Sequence, residues 1–154
     1  MTMEPPSWKY TGVNSATLQM CGTEKEEEFI SLEPWELAPE KQPDGELSQK
    51  KAKRKIEKAM KEGSHYFEWT HKRHGGEEFY ATVLLTKVAT PQKEFLLATV
   101  RDITKQKQAD EVTQSRAKEL AKMNELMVGR ELQMISLKEK IKKLEKILNI
   151  KKKK

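Results

Sequence analysis

Two alternating segments in the middle of the chain decide its fold. They read FEWTHKRHGGEEFYATVLLTKV over residues 67–88 and FLLATVRDITKQKQADE over residues 95–111. Apolar and polar residues alternate in them with a period of two, which indicates half-buried β-strands. The turn signals HGGE (residues 74–77) and TPQK (residues 90–93) separate three such strands. Consecutive strands joined by short turns predict an antiparallel meander.

Helical patterns precede the meander. Asn14 is placed to cap a short helix over residues 15–21, which Gly22 would end. A capping box that begins at Thr23 (residues 23–26) predicts a second brief helix, which ends near Leu32. Ser48 is placed to cap a longer helix that runs to Glu62. Helices followed by a meander form an α+β pattern, in which the helices cover one face of the sheet.

The C-terminal third of the chain carries a heptad pattern. After Thr104 there is no proline and one glycine, and apolar residues recur at alternating intervals of three and four. Nine positions form this seam, and all of them except Arg130 are apolar: Leu120, Met123, Met127, Arg130, Met134, Leu137, Ile141, Leu144 and Leu148. The pattern predicts a long coiled-coil helix over residues 105–150.

The residues of the seam also predict how the helix pairs. With Leu120 at position a, Ile141 falls at a and Leu144 at d, a choice that favours parallel dimers. Lys140 at g would then face Glu145 at e of the partner. We therefore expect a homodimer through the C-terminal helix.

Composition and charge narrow the function classes. The chain is 36% hydrophobic and 35% charged, which is too polar for a compact domain that uses every residue. Residues 138–154 hold nine lysines and two glutamates, a net charge of +7, so the total of +6 leaves −1 for residues 1–137. The basic character therefore lies in a tail that ends at residues 151–154, and we do not expect nucleic acid as a partner of the folded part.

Other features exclude some sites and locations. Cys21 is the only cysteine, which excludes an internal disulfide and a multi-thiolate metal site. No stretch approaches the roughly 18–20 apolar residues of a membrane span. Residues 1–7 contain two prolines and no apolar signal region, and we expect them to be disordered. A cytoplasmic location is the expectation that follows.

The meander resembles the last three strands of a PAS domain. Its most specific element is Asp102-Ile103-Thr104, the triplet with which such domains pass into a signalling helix. Upstream, VNSATLQMCG (residues 13–22) is similar to the second strand and first helix of that fold. PWELAPEKQPDGELSQKKA (residues 34–52) is similar to the loop and long helix in a bacterial and archaeal sensor-kinase subgroup. LAKMNELMVGRELQMISLKEKIKKL (residues 120–144) resembles the linker helix that follows PAS modules in sensor histidine kinases.

The resemblance implies a PAS-like domain over residues 8–104, followed by a signalling helix. A complete member begins with a strand of about ten residues before Val13, and here only residues 1–7 precede the matching part. We therefore expect the first strand to be short or missing. Either the sheet has four strands, or the chain is a truncated piece of a longer ancestor.

The cofactors known in PAS domains leave no signature here. The flavin-binding branch needs a cysteine within an Asn-Cys-Arg-Phe-Leu-Gln motif, and Cys21 reads instead as a small, partly buried residue. Haem needs an axial ligand, and none of His65, His71 and His74 matches the family's position. Their spacing is loose for a metal site, so we interpret them as surface or strand-packing residues. We predict no metal and no cofactor, and a weakly held metabolite is the ligand class left open.

Two sets of residues are candidates for sensing and coupling. Trp35, Trp69 and Phe67 would line a ligand cavity, although aromatic residues on a strand are more often plain core. The resemblance implies that Asp102 bonds at the junction of sheet and helix and couples the two, with Ile103 and Thr104 completing the motif. A solvated aspartate at a strand end is the alternative.

Arg130 interrupts the seam at a d position. A charge there costs stability unless the stem packs and the guanidinium reaches water. It marks either a weak point useful for switching or a residue that an exposed two-stranded coil tolerates.

The function that these features favour is signal transduction, as a sensory or dimerisation module. No histidine follows His74 to accept a phosphoryl group, and the chain has no glycine-rich nucleotide loop. No nucleophile–base pair is visible either, so we predict that the chain is not an enzyme. It would act in trans on a partner such as a histidine kinase or another PAS-containing protein. The alternatives are a nucleic-acid or membrane-associated regulator that uses the basic tail, and a remnant fragment of a sensor histidine kinase.

Overall fold

A five-stranded antiparallel sheet forms the centre of the fold. The structure, a computed structural model, describes residues 1–23 and 25–151, with side chains as far as residue 145. The strands are β1 (Thr2–Met3), β2 (Tyr10–Gly12), β3 (Ser64–Lys72), β4 (Glu78–Ala89) and β5 (Glu94–Asp102). They lie in the order β2-β1-β5-β4-β3, and β3, β4 and β5 form the predicted meander.

The first strand is present and short, as one of the two expectations had it. Thr2 lies opposite Gly12 of β2 on one side and Leu97 of β5 on the other. Met3 is only 2% exposed. The expectation that residues 1–7 are disordered was therefore wrong. An apolar side chain carries the segment into the core, and the strand ends before the first proline, which could not donate to a sheet.

The first predicted helix matches residue for residue, and the long one differs at its start. Helix α1 (Ser15–Cys21) begins after Asn14, whose Oδ1 accepts a hydrogen bond from the Thr17 N–H at 3.0 Å. Gly22 ends it in the left-handed conformation, with φ of +71°. Helix α3 (Ser48–Glu62) ends at the predicted residue, but Leu47 and not Ser48 precedes its first turn. Ser48 does not cap the helix, because its hydroxyl donates to the Pro39 carbonyl at 2.5 Å.

Helix α2 (Glu26–Ile30) is shorter than predicted. Thr23, which we expected to lie near its start, belongs to the end of α1 instead. Its N–H donates to the Leu18 carbonyl at 3.0 Å, and its side chain is buried.

The core lies between the helices and one face of the sheet. Along β4, the alternate side chains Phe79, Ala81, Val83 and Leu85 are buried, as the period of two predicts. Helix α3 adds Ala52, Ile56 and Ala59, which lie on one face of the helix. This arrangement confirms the α+β class with helices on the sheet face.

Helix α4 (Thr104–Lys151) follows β5 directly. The chain divides into a compact unit over residues 1–107 and a helical unit that begins at Gln108. Arg130 is exposed, and the other seam side chains that the structure describes are 54–66% exposed: Leu120, Met123, Met127, Met134, Leu137, Ile141 and Leu144. The side chain of Leu148 and the tail residues 152–154 lie outside the described part. Across residues 1–23 and 25–151, no helix has the length and apolar character needed to cross a bilayer.

Candidate functional site

The triplet Asp102-Ile103-Thr104 connects the end of β5 to the start of α4, and both carboxylate oxygens of Asp102 are engaged. Oδ1 accepts a hydrogen bond from the Thr104 N–H at 2.9 Å, at the first residue of the helix. Oδ2 accepts one from Nη2 of Arg73 at 2.8 Å. The carboxylate thus joins the start of α4 to the residue that follows β3.

The rest of the triplet is fixed to β4. The Ile103 N–H donates to the Tyr80 carbonyl at 2.9 Å, and the Tyr80 N–H donates to Oγ1 of Thr104 at 3.0 Å. The Lys107 N–H then donates to the Ile103 carbonyl at 2.9 Å, which is the first i to i−4 bond of the helix. One main-chain bond and one bond to the Thr104 hydroxyl therefore connect the start of α4 to the central strand of the meander.

Arg73 connects this junction to the helical layer. Its guanidinium also donates to the Met20 carbonyl near the end of α1, lies 3.4 Å from the carboxylate of Glu77, and stands 4.2 Å above the ring of Phe79. A planar group with several donors suits such a set of partners. Sequence reasoning missed Arg73, although a signal was present. In a meander, β3 and β5 run in the same direction, so Arg73 and Asp102 had to lie at the same edge of the sheet.

The electrostatics of the junction favour a charged carboxylate. Partial burial alone would raise the pKa of Asp102, but hydrogen bonds from Thr104 and from Arg73 outweigh it and hold the pKa below its ordinary value. Asp102 and Arg73 are partly exposed, so solvent weakens their attraction.

The core contains a second feature, a small cavity between the sheet and the helices. The volume of this cavity is about 40 Å³, which is enough for roughly three water molecules. Phe67 and Trp69, two of the three aromatic residues that the sequence offered as candidates for a cavity wall, belong to its wall. The third, Trp35, does not, and its ring lies 5.1 Å below Nζ of Lys53 instead.

His71 also forms part of this wall and is 7% exposed. Its Nδ1 lies 3.2 Å from the Leu37 carbonyl, while Nε2 is buried and has no hydrogen-bond partner among the described residues. An unpaired buried acceptor costs about 1–3 kcal/mol. Burial lowers the pKa of His71 to about 4, against smaller opposing effects of the Leu37 carbonyl and Asp102. The imidazole is therefore neutral near pH 7.

The structure does not bring the three histidines together. His65 stacks on Phe67 at 5.3 Å, and His71 stacks on Phe79, also at 5.3 Å. Among the residues with described placement, no group of three His, Cys, Asp or Glu side chains could hold a metal ion. Cys21 is 2% exposed, and burial raises its pKa to about 11, although Arg73 opposes the rise. It is a small core residue, as the sequence suggested.

Comparison with known proteins agrees with this fold. The family described as PAS domain matches residues 8–105. The chain is similar to the solved structure titled "Crystal structure of a PAS domain from two-component sensor histidine kinase", with a TM-score of 0.52 and 18% identity over 66% of this chain and 80% of that chain. At 18% identity, this similarity shows only that the two chains share a fold. No curated protein matches the chain. The family match extends over more than half of the sequence, and the chain therefore belongs to the PAS domain family.

Proposed function

We propose that the chain is a signal-input and dimerisation module, in which the PAS core controls the start of a C-terminal helix. In this proposal Asp102, Ile103 and Thr104 couple the sheet to α4. The helix pairs with its copy in a second chain, and the pair acts in trans on a partner such as a histidine kinase or another PAS-containing protein.

The observation that carries the coupling proposal is the shared carboxylate of Asp102. One oxygen holds the first N–H of α4, and the other holds Arg73, which also bonds to the end of α1. A change in the packing of α1 or β3 that moves Arg73 therefore alters the bond that stabilises the start of α4. Coupling of this kind needs an element with two arrangements, and the first turn of α4 is our candidate.

The exposed seam of α4 supports the pairing. Seven large apolar side chains lie along it, each more than half exposed in the single chain. Apolar surface of that extent on a soluble helix marks an interaction site. Its spacing of three and four, with Ile141 at a and Leu144 at d, fits a second parallel copy of the same helix.

The proposed class of partner comes from the comparison of folds. The similar solved structure is titled as a PAS domain from a sensor histidine kinase, which makes that class our proposed partner. The single, buried cysteine suits the cytoplasm, where we place the protein.

Hydrogen exchange of an Asp102→Ala variant tests the coupling. A hydrogen bond to a carboxylate at a partly exposed site contributes about 1.5 kcal/mol, so amide exchange in the first turns of α4 should quicken by roughly tenfold. Exchange in β3, β4 and β5 should stay close to that of the wild type, because none of their ladder bonds involves this side chain.

Glu68→Gln is the matched control. The Glu68 carboxylate lies 2.6 Å from Nζ of Lys107 in the same turn of α4, yet this exposed ion pair should contribute under about 1 kcal/mol. We expect little change in that variant. Equal loss of protection in α4 and the meander of Asp102→Ala would mean that Asp102 supports the whole fold and does not couple its parts.

A further inference from the structure

We infer that the core cavity receives a small, mostly apolar molecule carrying one O–H or N–H group, which donates a hydrogen bond to Nε2 of His71. The inference rests on the proposed sensory role of the core and adds the chemical class of its ligand. It comes from one polar atom that the described residues leave without a partner.

The tautomer of His71 gives that atom its role. The Leu37 carbonyl can only accept, so Nδ1, at 3.2 Å, carries the proton and donates it. In a neutral imidazole the other nitrogen then has a free lone pair. Burial keeps the ring neutral, which agrees with the lowered pKa. Nε2 therefore accepts a hydrogen bond and selects a ligand that donates one.

The remainder of the wall sets the other properties of the ligand. It is formed by apolar side chains such as Met3, Ile56, Val83 and Leu85, together with aromatic rings. Such a wall offers no counter-charge and disfavours ionic ligands. About 40 Å³ suits a molecule of a few heavy atoms, and flexible methionine side chains allow the wall to adjust.

His71 also lies next to the contacts that reach the exit helix. Its ring stacks on Phe79 at 5.3 Å with an interplanar angle of 21°. The guanidinium of Arg73 stands 4.2 Å from the same Phe79 ring and bonds to Asp102. A ligand that shifts the imidazole thus acts on the residue that holds the Asp102 carboxylate.

Pyrrole and furan are the matched probes, since both are small rings of five heavy atoms and differ by an N–H group in place of an ether oxygen. Their affinities for the wild type and for His71→Phe are measured by titration calorimetry or by amide chemical shifts. Furan is less soluble in water, so each probe is compared between the two proteins. Pyrrole should bind His71→Phe roughly tenfold more weakly than the wild type, because the acceptor is lost, while furan should bind both about equally. Nitrogen NMR of labelled histidine should show pyrrole shifting the Nε2 resonance of His71 in the wild type, with no equivalent effect of furan.

Three results would overturn the inference: an equal change for both probes on substitution, an unshifted Nε2 resonance, or no binding of pyrrole to the wild type up to its solubility. The nitrogen measurement uses only the wild-type protein, so it holds even if His71→Phe does not fold. The hydrogen exchange of Asp102→Ala is independent of any ligand. Faster exchange confined to the start of α4, together with no binding of pyrrole, rejects the ligand class alone. Selective binding of pyrrole, without the expected change in exchange, rejects the proposed function alone.

Discussion

At the scale of single residues, His71 makes the stability of the core depend on pH. In the folded chain its pKa is about 4, against an ordinary value of 6.5. Between these values the unfolded chain binds a proton that the folded chain does not, so the free energy of unfolding falls as the pH falls. Lowering the pH from 7 to 4.5 should cost roughly 2–3 kcal/mol through this residue.

Urea unfolding at several pH values checks this prediction, with His71→Phe as the comparison. Burial also lowers the pKa of His65, with help from Lys55 and Lys58, so a slope of the same sign remains in the variant. Burial alone would raise the pKa of Asp102, but hydrogen bonds from Thr104 and Arg73 hold it below its ordinary value. The stability that this carboxylate contributes is therefore lost only at lower pH than the range compared here. If both proteins lost the same free energy between pH 7 and 4.5, His71 would not be responsible.

The junction shows how far single residues could be read from the sequence. Asp102 stood in a recognisable triplet, and its place between β5 and α4 follows from the strand alternation alone. The role of Arg73 depends on four contacts with different parts of the chain. No pattern in the sequence around Arg73 predicts these contacts. The unpaired nitrogen of His71 is likewise visible only once the Leu37 loop lies against β3.

At the scale of elements, the seam of α4 should control association without affecting the sheet. Replacing Leu137 and Ile141 with Asp places two charges at a and d positions, where pairing would bury them without partners. We expect a monomer by sedimentation equilibrium, with the circular dichroism of the sheet unchanged.

The matched control replaces Gly129 and Ser136 with Asp. Both lie at outward c positions of the same heptads, and the change in charge is the same. This variant should associate like the wild type. Equal dissociation of the two variants would show that net charge, and not the seam, governs the association.

Elements with local signals were predicted best. Asn14 and Gly22 mark both ends of α1, and the meander is defined by its alternation and its turns. Strand β1 was expected to be short or missing, and its position within residues 1–7 was not predicted because Thr2 pairs with Leu97, far away in sequence. The two residues of β1 have no periodicity to detect, and only the gap between β2 and β5 gives them a place.

At the scale of the whole molecule, the charge distribution separates two kinds of surface. The net charge of residues 1–137 is close to zero, and the excess of lysines lies near the C-terminus.

The class of fold could be predicted from the order of the elements along the sequence. The stimulus and the partner depend on complementary surfaces of other molecules, and no pattern within one chain encodes them. Parallel pairing of α4 with its own copy involves this chain alone, so this central claim can be tested without knowing the stimulus or the partner.

The most direct test is a distance between spin labels at position 122 in the Lys122→Cys variant, measured by pulsed electron resonance at tens of micromolar. Position 122 is an outward c position near the start of the seam, and the native Cys21 is buried and should not be labelled. A parallel pair predicts one distance below about 30 Å, since paired helix axes lie about 8–10 Å apart. An antiparallel pair over the same seam would separate the labels by at least about 36 Å, because 24 residues rise 1.5 Å each. That longer distance, or the absence of any dipolar signal, would contradict the account.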